Sequence, residues 1–262
     1  MTGSLSGLRV VNTRAAHQAA ALDRLLLERG ATPIAYPCIA IIPPTETAEL
    51  DRDLHKLAAG EFDWLAFTSA NTVFALASRL DELGMRVPAD GQMRVAAVGP
   101  ATARSACELL GVAPALVPDT HTGVELARAI PMRQGERVLL PLSEIADEDV
   151  ARGLRERGAE VTESTAYRTV IGHGGADLTR LLPAGEVDAL TFCSPSAVDG
   201  FIKRLAREGG SLEIASALPV ICIGPSSHSA AVQQGFTSVT TATTHTLEGL
   251  VAALDESVSI RA

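Results

Sequence analysis

One strand–turn–helix pattern occurs twice in the chain, and that duplication limits what it can fold into. Phe62–Phe74, FDWLAFTSANTVF, returns as Val187–Val198, VDALTFCSPSAV. Asp63 and Asp188, Phe67 and Phe192, Ser69 and Ser194, and Val73 and Val198 are each 125 residues apart. Each copy opens with a short apolar run and passes a serine. It then repeats apolar residues at i, i+3, i+4 and i+7: Val73, Leu76, Ala77 and Leu80 in one, Val198, Phe201, Ile202 and Leu205 in the other. That spacing predicts a buried strand, a sharp turn and a helix with one apolar stripe. Ser69 and Ser194 stand where a helix N-cap belongs, and Pro195 suits the first helical position.

Other segments keep the same order. Gly99–Thr102 (GPAT) answers Gly224–Ser227 (GPSS) at the same offset of 125, and HTGVELARAI from His121 answers HTLEGLVAAL from His245 at 124. The chain is therefore an internal duplication, roughly 8–130 repeated as 136–254, with a period too long for a solenoid. Leu8–Asn12, Val95–Val98, Arg137–Leu140 and Val220–Ile223 read as further buried strands, and Val112–Val117 as a brief one. Helices are expected over Ala15–Arg29, Ala48–Ala59, His121–Ile130, Asp147–Arg157, Leu178–Leu182 and His245–Leu254, and after each Gly-Pro turn. Two longer β-prone runs, Thr32–Ile42 and Val161–Ile171, hold matching places; Pro33 and Pro37 put part of the first on an edge or in a linker. Strands alternating with helices imply two similar parallel α/β units.

Composition narrows the function. Aromatics are only 3% of residues, which leaves few rings to stack on nucleobases, and a net charge of −9 with scattered basic residues argues against nucleic acid. The N-terminal MTGSLSGLRV lacks the basic and apolar regions of a secretory signal, and no apolar run is long enough to span a membrane. Cys38, Cys107, Cys193 and Cys222 form no CxxC pair; Cys193 and Cys222 fall in expected buried strands, as small core residues of a reducing, cytoplasmic setting. No HExxH, GxSxG, Walker A or GxGxxG pattern occurs, and no metal is expected. The acidic stretch Glu144, Asp147, Glu148 and Asp149 reads as a solvated helix start.

Ligands of parallel α/β units bind beyond the carboxyl ends of the strands. There the chain places small and hydroxylated residues, each opening a helix: Ser69, Ala70 and Asn71; Thr102 after Gly99–Pro100; Ser194 and Ser196; Ser226 and Ser227. Helix starts present unpaired N–H groups, so four of them facing a cleft would suit a ligand with several negative charges. The ordinary reading of each alone is a good N-cap. Tyr167, in AYRTV, is one of two tyrosines; Tyr36, in AYPCI, holds a similar place in the first long run. Tyr167 is either a strand residue packing its ring or a phenol able to donate a proton in a cleft.

With these residues in view, the chain resembles the uroporphyrinogen-III synthase family over nearly its whole length. The resemblance rests on Phe67–Asn71 (FTSAN), Val98–Ala103 (VGPATA), Gly158–Val170 (GAEVTESTAYRTV), Phe192–Val198 (FCSPSAV), Ile223–Ser227 (IGPSS) and Leu247–Leu250 (LEGL). It implies an α/β fold of two similar parallel-sheet lobes, flavodoxin-like and doubly wound, joined by two extended strands. The first lobe would combine 1–38 with 172–262, and the second would be 39–171. It implies cyclisation of hydroxymethylbilane, a linear tetrapyrrole with eight carboxylates, to uroporphyrinogen III with inversion of the terminal ring and loss of water, and without a cofactor. Tyr167 matches the family tyrosine thought to assist departure of the hydroxyl, and Thr102, Ser69 and Ser194 match residues of its cleft. Ser227 stands where the family often has threonine, and Ser143 and Asp147 where relatives often have glycine and arginine. The implied partners are the small-molecule tetrapyrrole and the pathway enzyme that precedes it; a cytoplasmic monomer is expected. A non-catalytic two-lobed protein that binds or senses an anionic small molecule would share the repeat and the helix starts. A nucleotide- or flavin-binding domain is disfavoured by the missing phosphate loop.

Overall fold

The computed structural model describes residues 5–88 and 92–259. Among these, ten strands run in chain order: β1 (Arg9–Asn12), β2 (Thr32–Ala35), β3 (Ile39–Ile42), β4 (Trp64–Phe67), β5 (Arg94–Ala97), β6 (Arg137–Ser143), β7 (Glu160–Ile171), β8 (Ala189–Phe192), β9 (Val220–Cys222) and β10 (Val239–Thr241). The helices are α1 (Ala16–Glu28), α2 (Ala48–Ala58), α3 (Ala70–Glu82), α4 (Pro100–Ser105), α5 (Gly123–Ala129), α6 (Asp149–Glu156), α7 (Leu178–Leu181), α8 (Pro195–Glu208), α9 (Leu212–Ser216), α10 (Pro225–Gln233) and α11 (Leu247–Ser259). A π-helical turn over Ala106–Leu110 continues α4.

The chain divides into two compact units, Met1–Ala40 with Val170–Ala262, and Ile41–Thr169. The first holds a parallel sheet in the order β10-β9-β8-β1-β2. Counted along that unit, the order is 2-1-3-4-5, the flavodoxin-like arrangement. The second sheet runs β3-β7-β6-β4-β5, and beyond β5 the chain at Leu116 adds one parallel bridge to Ala96. From β7 to Leu116 it repeats the first sheet position for position. Each unit thus takes β1 and β2, or β6 and β7, from one repeat and its remaining strands from the other. The sequence duplication is real, but the compact bodies cut across it.

Both faces of each sheet are covered, as the near-continuous apolar runs of the central strands require. In the first unit Val11, Leu190, Phe192, Val220 and Cys222 point to a core shared with Val198, Phe201 and Leu205 of α8. Val10, Ala189 and Ile221 point to the other, with Leu22 and Leu26 of α1 and Leu250 and Leu254 of α11. In the second, Leu65, Phe67, Val95 and Leu139 pack on α2 and α3, while Trp64, Ala66, Val138 and Leu140 pack on α5 and α6. Each such Val, Leu or Phe is worth about 1.5–3 kcal/mol on burial, against about 1 kcal/mol for a cap. The caps therefore set where helices begin rather than whether a unit folds.

Helix α8 also fixes the segments that flank β2 and follow β7 within the first unit. Arg204, only 4% exposed, donates from Nη1 to the Pro37 carbonyl at 2.6 Å and from Nη2 to the Gly174 carbonyl at 2.6 Å. Its guanidinium lies 3.7 Å from the centroid of the Tyr36 ring. Gly200 lets the Cys38 backbone touch the helix: a Cβ there would lie 2.3 Å from the Cys38 carbonyl oxygen.

Several expectations are corrected. The brief strand over Val112–Val117 reduces to the Leu116 bridge, because Pro114 and Pro118 limit the ladder. Thr32–Ile42 does lie on edges and link the two units, as Pro33 and Pro37 suggested: it forms two edge strands, β2 and β3, separated by Tyr36–Cys38. Helix α9 and strand β10 lie in segments to which the sequence reading assigns no element; Ser211 caps α9 by accepting from the Ile214 N–H. Cys193 falls just beyond β8 and is half-buried, whereas Cys222 is buried within β9. Burial pushes the Cys222 thiol up to about 12, so it is an inert core group.

Candidate functional site

Ser69 and Ser194 are both N-caps with extended backbone. The Ser69 hydroxyl accepts the Thr72 N–H at 3.1 Å, and the Ser194 hydroxyl accepts the Ala197 N–H at 3.1 Å. Each follows the strand at which its sheet's winding reverses: β4 beside β6 in the second unit, β8 beside β1 in the first. Ligands of open parallel sheets bind at that switch point. The repeat's two serines therefore mark equivalent places, one per unit.

In the second unit Ser69, Ala70 and Asn71 open α3, and Thr102 lies in the first turn of α4, buried at 4% exposure. In the first unit Ser194 and Ser196 open α8, their hydroxyl oxygens 3.0 Å apart, while Ser226 and Ser227 open α10, the former exposed and the latter buried. Strands β4 and β5 pair through Phe67 and Ala97, and β8 and β9 through Phe192 and Cys222, so both helix starts of each unit lie along one carboxyl edge. Gly99 and Gly224 precede these starts, and the imidazoles of His121 and His245 approach them: a Cβ on Gly99 would lie 3.1 Å from His121 Cγ, and one on Gly224 3.6 Å from His245 Cγ. Both backbones there are extended; the approach of His121 favours glycine at Gly99, whereas the His245 distance is ordinary contact and Gly224 has room for a Cβ.

Tyr167 joins the second unit's edge through an irregularity in the ladder. Along β6 and β7 the partners run Pro141 with Ser164, Leu142 with Thr165, and then Ser143 with Tyr167, skipping Ala166. Strict alternation would put Tyr167 on the face opposite Ser164 and Ala166. The bulge instead turns Ala166 and Tyr167 into the same core, beside Leu139, Leu65 and Phe67. The ring is buried at 6% exposure, and the hydroxyl reaches Ser69 Oγ at 3.4 Å.

Tyr36 shows the contrast. It is wholly buried, its ring stacks edge-on against Phe201, and its hydroxyl donates to Glu208 Oε2 at 2.7 Å. Burial, helped by the Glu208 hydrogen bond, pushes its phenol far above the usual value. Its hydroxyl is committed to structure. Among the described residues the Tyr167 hydroxyl has one contact, the long one to Ser69.

Thr72 was not singled out by the sequence. It is buried without exposure, and its hydroxyl lies 2.8 Å from Ser69 Oγ. A signal was there in the repeat: the position 125 residues on is Ala197. Asp147 is exposed and accepts the Asp149 N–H at 3.2 Å, within the turn that starts α6. Among the described residues no group of three or more His, Cys, Asp or Glu side chains is placed to hold a metal ion, and no helix is long and apolar enough to cross a membrane.

Comparison with known proteins names the resemblance. The family model described as uroporphyrinogen-III synthase HemD matches residues 20–252. The uroporphyrinogen-III synthase of Synechococcus elongatus is 28% identical over 258 residues, which cover 96% of each chain. The porphyrin biosynthesis protein HemD of Ruminiclostridium josui is 27% identical over 227 residues; these are 86% of this chain but 44% of that longer protein. A mutant uroporphyrinogen III synthase from the extreme thermophile Thermus thermophilus superposes with a TM-score of 0.60 at 21% identity, covering 97% of this chain and all of that one, a likeness that speaks to the fold. With the model match spanning most of its length, the chain belongs to the uroporphyrinogen-III synthase family.

Proposed function

We propose that the protein is a lyase that closes hydroxymethylbilane to uroporphyrinogen III, inverting the terminal ring and releasing water. Family membership supports the reaction. The observation that carries the site is Tyr167: a buried ring whose hydroxyl sits at the switch point beside Ser69, uncommitted to any carboxylate, while Tyr36 is spent on Glu208.

In this reading Tyr167 donates its proton to the terminal hydroxyl of the substrate. The C–O bond breaks, the pyrrole nitrogen's electrons fill the gap, and water leaves. The resulting azafulvene is attacked by the far pyrrole to give a spiro intermediate, which fragments and recloses with that ring reversed. The N–H proton lost in forming an azafulvene is regained at nitrogen on ring closure, and the one α-carbon proton released from the attacking pyrrole returns the phenolate to its starting form, so water is the only net product besides the macrocycle. Ring choice is a matter of conformation: the enzyme's larger contribution is holding both ends of a flexible chain in one arrangement.

Within each unit the helix starts suit carboxylates of such a substrate: Ser69, Ala70, Asn71 and Thr102 in one, Ser194, Ser196, Ser226 and Ser227 in the other. Their N–H groups favour anions without a basic surface, in keeping with the net charge of −9. The reading needs no cofactor, and it has the protein work as a cytoplasmic monomer that takes its unstable substrate from the enzyme that makes it. The experiment is turnover of hydroxymethylbilane with the two macrocycle isomers quantified. The inverted isomer in excess over the spontaneous background supports the proposal. Only the uninverted macrocycle would overturn it, leaving a binding protein for an anionic small molecule.

A further inference from the structure

We infer that Thr72 is a positioning residue that fixes the direction of the hydrogen bonds at Tyr167, leaving the phenol's proton free for the substrate. The inference rests on the reading of Tyr167 as the proton donor.

The argument is a count of lone pairs and hydrogens. A serine hydroxyl has two lone pairs and one hydrogen. One lone pair of Ser69 Oγ accepts the Thr72 N–H at 3.1 Å. Thr72 Oγ1 lies 2.8 Å from the same oxygen, and Tyr167 Oη lies 3.4 Å away. Thr72 is fully buried, and among the described residues Ser69 Oγ is the hydrogen-bond partner of its hydroxyl. A buried donor left unmade costs more than a spare acceptor lone pair. Thr72 therefore donates to Ser69. Both Ser69 lone pairs are then used, and the Ser69 hydrogen is directed at Tyr167 Oη. Tyr167 accepts there, and its own hydrogen stays available. With the opposite polarity, Ser69 would donate to Thr72 and take the phenol's proton, which would be spent inside the protein. At 3.4 Å the last link is long for an O–H···O bond, so its contribution is orientation more than energy.

The other repeat supplies an internal control. Ser194 caps α8 with the same geometry, yet the residue in Thr72's place is Ala197. Capping needs the N–H alone. The Thr72 hydroxyl is surplus to the cap and occurs in the copy whose serine meets a tyrosine.

The test is steady-state turnover of hydroxymethylbilane by Thr72→Val, Thr72→Ser, Tyr167→Phe and the Thr72→Val/Tyr167→Phe double variant. Thr72→Val, nearly isosteric, should lower kcat by roughly 3–10-fold, the range expected for one misdirected hydrogen bond, with KM within about twofold of the parent. Thr72→Ser should recover most of that loss. In the Tyr167→Phe background Thr72→Val should cost nothing more, because there is no phenol proton left to direct. A merely structural threonine would give additive losses. Thr72→Val at the parent rate, Thr72→Ser as slow as Thr72→Val, or an additive double variant would each overturn the inference. If Thr72→Val does not fold, Thr72→Ala removes the same hydroxyl and is judged the same way. A Tyr167→Phe variant at the parent rate would instead sink the proton-donor reading itself, whereas a slow Tyr167→Phe with a normal Thr72→Val sinks only the present inference.

Discussion

Replacing Arg204 with methionine should destabilise the first unit by about 3–5 kcal/mol, the range measured when one partner of a buried ionic cluster is removed. Arg204 is 4% exposed and makes three hydrogen bonds, to the Pro37 and Gly174 carbonyls at 2.6 Å each and to Glu208 Oε1 at 2.8 Å. Methionine fills much of the space but strands the buried Pro37 carbonyl, at about 1–3 kcal/mol, leaves the exposed Gly174 carbonyl to water, and removes a desolvated cation–π contact of about 2 kcal/mol. Glu208 softens the loss, because its side chain is 34% exposed and keeps the Tyr36 hydroxyl at 2.7 Å. For a unit of about 130 residues each kcal/mol moves the midpoint by about 3–5 °C, so melting should fall by about 10–20 °C. Arg204→Lys should recover little, since an ammonium group cannot reproduce the fork that spans two carbonyls. Thermal melting by circular dichroism gives the size of the effect. Hydrogen–deuterium exchange gives its place: the amides of Tyr36, Cys38 and 172–176 should lose protection first. A shift under about 3 °C, or a lysine variant equal to the parent, would refute the idea that this guanidinium ties both segments to α8.

Three other outcomes are expected. Tyr167→Phe should change stability by about 1 kcal/mol or less, because among the described residues its hydroxyl has one contact, at 3.4 Å, and should slow turnover by less than the roughly 10²–10⁴-fold typical of a lost general acid, since the substrate also ionises unaided; the isomer ratio should hold, and melting with turnover assays checks all three. The Arg9 side chain, by donating to Asp188 at 2.9 Å, holds that carboxyl below the usual carboxylate range. Its stabilisation should be fully present above about pH 4 and be lost as pH falls through the depressed native value; Asp188→Asn should flatten that part of a stability-against-pH curve. Gly200→Ala should destabilise by about 1–2 kcal/mol, because the cost of pushing the Cys38 carbonyl off α8 outweighs the roughly 1 kcal/mol gained in helix propensity; a urea melt showing a more stable variant would contradict the close contact.

The features legible in the sequence were those carried by local patterns. Apolar strands, the stripe on α3 and α8, the serine caps and the Gly-Pro helix starts each depend on a few neighbouring residues, and the 125-residue offset exposed them twice. They were enough for two parallel α/β units and for hydroxylated residues at the helix starts. Short elements escaped: α9 and β10 span five and three residues, too few for a period to show.

Which strands pair was decided only in three dimensions. The repeat divides the chain into halves in sequence, whereas the compact units join Met1–Ala40 to Val170–Ala262 and leave Ile41–Thr169 between them. Equivalent strands of the two repeats carry nearly the same pattern, so hydrophobicity cannot say which copy of β1 lies beside which copy of β8. The long-range ladder of Val10, Val11 and Asn12 with Ala189, Leu190 and Thr191 does say it. The same holds for the site. Alternation along β7 sends Tyr167 away from Ala166; a one-residue bulge opposite Leu142 and Ser143 brings it back to Ser69 and Thr72, 98 and 95 positions earlier in the chain. Local chemistry chose the residues, but side-chain direction in a sheet has a period of two, and a single skipped residue in the tertiary register decides which face they share.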